Sequence, residues 1–273
     1  MHAFDTPGKT RLRVQNAAGL VSVDASENGR TTVELEALRN DDATREAIER
    51  AKVELNGNEV LVEIGVGGKG FGVGPAWISF GRTPQVGVRI RCPEGSDLDC
   101  MSASADLAVT GRLGEVEVQT ASGDVAVEHV AGLRVQSASG DVRGATVDGD
   151  ARLQTVSGDV RLGTVSGAVT STLVSGDFAI DEAHTDLAAK TVSGDQRIGA
   201  VREGKITLQS VSGDVRLGVR PGTKLRIDAN SVSGDVSSEF DVTDRPSEVP
   251  SGSEAQLQIK TVSGDVEITR AAA

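Results

Sequence analysis

A Ser-Gly-Asp tripeptide recurs along the last two thirds of this chain at nearly constant spacing. A degenerate first copy lies at Ser104-Ala105-Asp106, and most later copies start 17 to 19 residues after the one before. The full copies start at Ser122, Ser139, Ser157, Ser175, Ser193, Ser212, Ser233 and Ser263. A fixed period of this length is typical of folds built from stacked repeats.

Each period contains two turns. Between the Ser-Gly-Asp copies runs a second glycine series of similar period, and the residues between turns alternate as in strands, with Ile206 and Leu208 on one face. The pattern predicts an all-β fold, a single flattened β-solenoid of about 18 residues per coil with two corners per coil. An antiparallel meander with a turn every nine residues is the alternative. It is disfavoured because the two corners differ in sequence.

The valine before Ser-Gly-Asp interrupts the alternation, which predicts a bulge or sharp bend there. This valine is found at Val156, Val192, Val211, Val232 and Val262. A polar, proline-containing insertion at 241–253 is predicted to be a surface loop. Charged residues near Glu267 and Arg270 are expected to protect the strand edge at the C-terminal end.

The first 92 residues lack the repeat and are predicted to cap the solenoid, which would then occupy 93–270. This region is β-rich, with one short helix at about 41–52 that an aspartate pair can cap. A glycine-rich loop follows at 65–81. It carries Phe71, Trp77 and Phe80, which are either contacts for a partner or a hydrophobic plug over the end of the solenoid.

The Ser-Gly-Asp aspartates are expected to stack into a ladder of like charges. An arginine lies two residues after four of these aspartates and would point to the same face of the strand. The structural interpretation is therefore that local ion pairs and Asx-type hydrogen bonds within the turn stabilise the aspartates. These arginines are Arg143, Arg161, Arg197 and Arg216. A weak divalent-cation site along the ladder is the alternative. The ladder consists of Asp124, Asp141, Asp159, Asp177, Asp195 and Asp214, continued by Asp235 and Asp265.

No catalytic, metal or cofactor site is predicted. The blocks lack the paired glycines of the calcium-binding β-roll and place aspartate at a different position. His129 and His184 are about three coils apart, too far to share a metal. A groove lined by aromatic residues is not expected, because only Phe178 and Phe240 lie in the repeats. We therefore expect a protein that is not an enzyme.

The net charge is −12, which disfavours nucleic acid or an anionic membrane as a partner. No apolar stretch is long enough to span a membrane, and no export signal is visible near Met1. Cys92 and Cys100 are too few for a disulfide framework. They could pair across a turn, but in a reducing compartment they are more simply small buried or half-buried side chains. A cytoplasmic location is the resulting expectation.

The recurring units that begin Thr-Val-Ser-Gly-Asp, at 155–162, 191–198 and 261–268, resemble the putative adhesin family of bacterial β-strand-repeat proteins, a domain of unknown function. The resemblance covers roughly residues 10–270, implies a β-solenoid and brings no catalytic residues. Two functional hypotheses follow. The chain is either a scaffold or interaction protein that binds an unknown protein or itself, or a carbohydrate- or cell-envelope-binding adhesin exported by an unrecognised route.

Overall fold

The computed structural model describes residues 1–27, 29–65, 83–240 and 254–271. The chain forms two compact units, Met1–Ala131 and Gly132–Ala273, and each is described by itself. Most of the predicted glycine-rich loop lies outside the described residues, together with Phe71, Trp77, Phe80 and the insertion at 241–253. The predictions made for those residues stay predictions.

The first unit is built mainly of strands around one helix. Its elements are β1 (His2–Asp5), β2 (Arg11–Glu27), β3 (Arg30–Ala37), α1 (Asp42–Glu49), β4 (Lys52–Asn56), β5 (Glu59–Ile64), β6 (Val86–Pro93), β7 (Asp97–Thr120) and the start of β8 (Val125–Ser139). The helix lies where the sequence predicts it. Its N-cap is Asp41, whose Oδ1 accepts a hydrogen bond of 2.8 Å from the backbone N–H of Thr44.

The parallel coils begin inside the segment that was predicted to be a cap. One half of β2 pairs in parallel with β5 and the other half with β6, and β7 pairs in parallel with both halves. The long bent strand β2 is therefore a complete coil. The antiparallel strands flank it, with β4 on β5, β3 on β6 and β1 on β3.

The second unit consists of parallel strands in regular register. Its strands are β9 (Val142–Val147), β10 (Ala151–Ser157), β11 (Val160–Val165), β12 (Val169–Ser175), β13 (Phe178–Ala183), β14 (Leu187–Ser193), β15 (Gln196–Val201), β16 (Gly204–Ser212), β17 (Val215–Val219), β18 (Lys224–Ser233), β19 (Val236–Ser238), β20 (Glu254–Ser263) and β21 (Val266–Arg270). Strands one coil apart pair, so Ala151 lies beside Val169 and Val160 beside Phe178. The β-solenoid prediction is confirmed, and the antiparallel meander is wrong.

The order of coils in the second unit differs from their order in the sequence. Strand β20 pairs with β16 on one side and β18 on the other, and β21 pairs likewise with β17 and β19. The final coil is thus inserted between the two coils that precede it. The expectation that Glu267 and Arg270 protect the end of the stack is therefore wrong, because β18 and β19 form that end.

The interior of each unit is a thin layer of aliphatic side chains. In the second unit Val160, Leu162 and Ile180 are at most 3% exposed, and Phe178 is fully buried. Inward residues alternate with outward polar residues along each strand, as a sheet with one buried face requires. This alternation presents ordered rows of side chains on the outer surface.

Candidate interaction surface at the Ser-Gly-Asp corner

The corner is held by a glycine that no other residue can replace without strain. Gly158 has φ +120° and Gly176 has φ +129°, the left-handed region that favours glycine. A Cβ atom on Gly176 would lie 2.2 Å from the carbonyl oxygen of Gly158 in the preceding coil. The sequence thus fixes both the turn and the close approach of neighbouring coils.

The corner aspartates are linked from coil to coil by hydrogen bonds. Oδ1 of Asp141 accepts from the backbone N–H of Asp159 at 3.0 Å, and Oδ1 of Asp159 accepts from that of Asp177 at 3.0 Å. The series continues through Asp195, Asp214, Asp265 and Asp235. In the first unit Asp106 accepts from Asp124 in the same way, at 3.0 Å.

The expectation of hydrogen bonds within each turn is therefore corrected. The carboxylate reaches the next coil because successive corners stack in register, so the nearest backbone N–H belongs to the neighbouring coil. Each bond brings a donor to a carboxylate, and this offsets the repulsion between like charges stacked about 4.8 Å apart.

Three of the four predicted arginine pairs form. Arg143 binds Asp141 at 2.7 Å, Arg161 binds Asp159 at 2.7 Å and Arg216 binds Asp214 at 3.6 Å. Arg197 has no ion pair with Asp195 in the described part of the chain. The same spacing also pairs Arg152 with Asp150 at 2.9 Å, which the sequence analysis missed because Asp150 is not in a Ser-Gly-Asp copy.

The weak cation site along the ladder stays a prediction. At Asp141 and Asp159 both carboxylate oxygens already have partners, one a backbone N–H and the other an arginine. A cation would have to compete with these donors. Within residues 1–27, 29–65, 83–240 and 254–271, no group of three or more His, Cys, Asp or Glu residues is arranged to hold a metal ion.

A stripe of exposed valines runs beside the corner in the second unit. Its members lie just before each Ser-Gly-Asp copy, and adjacent coils stack them side by side. The valine stripe, with exposed fractions, consists of Val156 (52%), Val174 (47%), Val192 (48%), Val211 (49%), Val262 (49%) and Val232 (82%). Val174 was missed in the sequence, although it also directly precedes a Ser-Gly-Asp copy. Contiguous apolar surface of this kind marks interaction sites more often than scattered apolar residues do.

The valines face outward because the residue before them faces inward. Thr155, Thr191 and Thr261 are each only 4% exposed, so the alternation places the following valine on the surface. The next residue is a serine that is also exposed, and with it the strand bends into the corner. The predicted bend is thus where the structure turns.

The rows beside the valine stripe are polar and carry little charge. One row is exposed serine, including Ser157, Ser175 and Ser193. The row on the other side lies two residues earlier and contains Gln154, Thr172, Lys190, Gln209, Lys260 and Asn230. The stripe is therefore an apolar line in a regular polar surface, like the apolar centre and polar rim of an interface.

Three ionisable groups of the described residues have a clearly shifted pKa, and each shift has a local structural cause. Partial burial tends to raise the pKa of Glu182, but hydrogen bonds from Arg220 and His184, at 2.7 and 2.9 Å, and their charges hold this pKa below its usual value. Cys92 and Cys100 are free buried thiols. Burial raises the pKa of each to about 12, so both are protonated and unreactive near neutral pH.

A shallow concavity of about 240 Å³ lies on the outer face of the first unit. Leu20, Leu35 and Leu38 line it together with Glu34 and Arg89. It is smaller than the roughly 300–1,000 Å³ typical of ligand pockets. None of the described helices is long and apolar enough to cross a membrane.

Comparison with solved structures gives similarities over nearly the whole chain at low sequence identity. A putative adhesin from Bacteroides fragilis is 12% identical, with a TM-score of 0.48, over 98% of this chain and 96% of that chain. A putative adhesin from Parabacteroides distasonis is 9% identical, with a TM-score of 0.43, over 97% and 95%. A putative lipid binding protein from the same organism is 12% identical, with a TM-score of 0.38, over 99% and 96%.

No curated protein matches the sequence significantly. The family model described as Toastrack DUF4097, a domain of unknown function, matches residues 10–269. That range contains the parallel coils of both units. The chain therefore belongs to the Toastrack DUF4097 family.

Proposed function

We propose that this protein is a non-enzymatic scaffold or interaction protein, and that the valine stripe is its contact surface for a protein partner. The observation that carries the proposal is the stacking of half-exposed valines on consecutive coils. With a rise of about 4.8 Å per coil, the six valines form an apolar line about 24 Å long. Each valine of the stripe is held in place by the corner beside it, so little conformational entropy is lost when a partner binds.

The chemistry of the described residues supports a role in binding. The groups whose pKa is clearly shifted are two buried thiols and Glu182, and the shift of Glu182 is explained by its ion pair with Arg220. A catalytic acid or base has a pKa tuned by its site and lies in a cleft. The valine stripe lies instead on an open, regular face, which suits contact with a macromolecule.

The test replaces three valines of the stripe with threonine. The variant Val174→Thr, Val192→Thr and Val211→Thr keeps β-branched side chains and removes apolar contact. We expect affinity for the physiological partner to fall roughly tenfold or more. The matched control changes the adjacent polar row in the same coils, with Thr172→Ser, Lys190→Arg and Gln209→Asn, and should leave binding unchanged.

The partner is found by photo-crosslinking in cells of the native host. A photoreactive residue at Val192 should give a protein adduct, whereas the same residue at Arg197, on the other sheet, should not. Equal adducts at both positions, or unchanged binding by the threonine variant, would contradict the proposal. If the free energy of unfolding of the threonine variant instead falls by several kcal/mol, the stripe stabilises the fold and the proposal is also wrong.

We further propose a cytoplasmic location. The two free thiols are compatible with a reducing compartment. Fractionation of host cells tests this directly, since recovery in the envelope or culture medium would favour the carbohydrate- or envelope-binding alternative. Binding of the purified protein to envelope polysaccharide, lost in the threonine variant, would then identify that alternative.

A further inference from the structure

The coil formed by β18 and β19 lies at the end of the second unit. Within the described part of the chain, β18 pairs only with β20 and β19 only with β21. Among the described residues no strand lies on the other side. The end coil nevertheless contains the complete Ser-Gly-Asp motif at 233–235, in the same register as the interior coils.

The end coil exposes side chains that interior coils bury. Leu225, Ile227 and Ala229 are half-buried, whereas Leu257 and Ile259, in the coil beneath, are fully buried. Val232 is 82% exposed, compared with about half for the other members of the stripe. Within residues 83–240 and 254–271, the aliphatic layer is therefore less covered at this end than in the interior coils.

The free edge also presents backbone hydrogen-bonding groups. In interior coils the inward residues Ala151 and Val169 donate their N–H to the following coil. Strand pairing places Leu187, Ile206, Leu257 and Ile227 at the equivalent position of successive coils. The N–H and C=O of Ile227, and by alternation those of Leu225 and Ala229, thus point away from β20. An unpaired strand edge of this kind is a template for another strand.

We propose that a second copy of this chain binds this edge, with β18 of the two copies antiparallel about a two-fold axis at Ile227. A two-fold pairing closes the assembly, so no further free edge is created at the contact. Because the outward-pointing backbone groups belong to alternate residues, only registers that pair 225, 227 and 229 among themselves make hydrogen bonds.

The charges of β18 favour the register centred on Ile227 over the two neighbouring ones. Centring on Arg226 would place two arginines opposite each other, and centring on Asp228 would oppose two aspartates. Centring on Ile227 places Arg226 opposite Asp228 of the partner subunit, twice by symmetry. Opposite charges at facing positions stabilise a strand pair and like charges destabilise it.

The same register covers the aliphatic layer at this end. Ile227 lies opposite Ile227 of the partner subunit, and Leu225 opposite Ala229 of the partner subunit. All these side chains are on the inner face of the sheet, so the two cores become continuous. Arg226 and Asp228 form no ion pair within the described chain, and Oδ1 of Asp228 accepts a hydrogen bond of 2.8 Å from Nδ2 of Asn230. The inference does not depend on the proposed function, since the dimer needs the free edge and not the valine stripe as a whole.

The test is a charge exchange in the full-length protein. Analytical ultracentrifugation should show a dimer for the wild type. Arg226→Asp alone and Asp228→Arg alone each create like-charge pairs, and each should raise the dimer dissociation constant roughly tenfold or more. The double variant Arg226→Asp/Asp228→Arg should restore the dimer. The matched control, Lys190→Asp, makes the same change in charge on an interior coil and should have no effect.

The register has its own test. The double variant Arg226→Cys/Asp228→Cys should form intermolecular disulfides under mild oxidation, because those residues face each other in the proposed pairing. Cys92 and Cys100 are buried and should not react. A wild-type monomer at all concentrations would overturn the proposal, as would a dimer that the single charge reversals leave intact. Failure of the exchanged variant to recover would overturn the register.

Discussion

The two corners of each coil in the second unit both turn the chain, but they differ in how strictly their sequences repeat. The Ser-Gly-Asp corner repeats in every coil, with glycine at positive φ and a carboxylate bound to the next coil. The second corner varies in sequence and length. It is formed by Asp148-Gly149-Asp150, Ser166-Gly167-Ala168, His184-Thr185-Asp186, Arg202-Glu203 and Arg220-Pro221-Gly222-Thr223.

The second corner also joins coils, but less regularly. Oδ1 of Asp150 accepts from the backbone N–H of Ala168 at 3.1 Å, and a Cβ atom on Gly167 would lie 2.3 Å from the carbonyl carbon of Gly149. At the second corner the chain must reverse, and several local sequences can do that, as in the turn with Pro221 and Gly222. At the Ser-Gly-Asp corner each turn lies against a turn of the same sequence in the neighbouring coil. Close contact between backbones tolerates no Cβ atom, which explains why glycine recurs in every copy of the motif.

The largest effect is expected from a methyl group at the Ser-Gly-Asp glycine. Gly176→Ala places a Cβ atom 2.2 Å from the carbonyl oxygen of Gly158, besides the strain of φ +129°. We expect the free energy of unfolding to fall by about 3 kcal/mol or more, measured by urea denaturation. The matched change is Gly222→Ala at the second corner, where φ is +87° but nothing lies within 4 Å.

Gly222→Ala should cost only about 1 kcal/mol, because it has the backbone strain without the collision. The difference between the two variants measures the contact between coils. Equal losses would mean that the close contact between coils at Gly176 adds nothing to the strain of its positive φ.

A smaller effect is expected at Asp177. Its Oδ1 accepts the backbone N–H of Asp195 at 2.9 Å, and Ala179 occupies the position where other coils have arginine. Asp177→Ala should lower the free energy of unfolding by about 1 kcal/mol through loss of that bond. Asp177→Asn keeps an acceptor oxygen and removes a stacked charge, so it should be at least as stable as the wild type. An alanine variant more stable than the wild type would show that charge repulsion dominates the ladder.

The smallest effect concerns pH at the second corner. Because the folded-state pKa of Glu182 is below its unfolded value, the ion pair with Arg220 adds stability at neutral pH. That stability should be lost as the pH falls through the lowered pKa. Glu182→Gln should cost less than about 1 kcal/mol at pH 7, and the cost should vanish in acid. Unfolding curves at several pH values test this, with Glu203→Gln, an exposed residue of the same corner, as the control.

Local interactions in the repeats could be predicted from the sequence. The spacing of Asp141 and Arg143 puts both on one face of a strand, and the ion pair forms as expected. Helix α1 was located by its capping aspartate for the same reason, since the cap and the helix are close in the chain. The acceptor role of each Oδ1 could not be predicted, because its donor belongs to another coil.

The sequence by itself determined the parallel coil, its two corners and the alternation that buries one face. These follow from backbone geometry and from the period of the apolar residues. Only the tertiary structure decided that β20 and β21 are inserted before β18 and β19. The physical reason is that coils with the same corner stack equally well on one another, so a repeat specifies how coils join and leaves open which coils are neighbours.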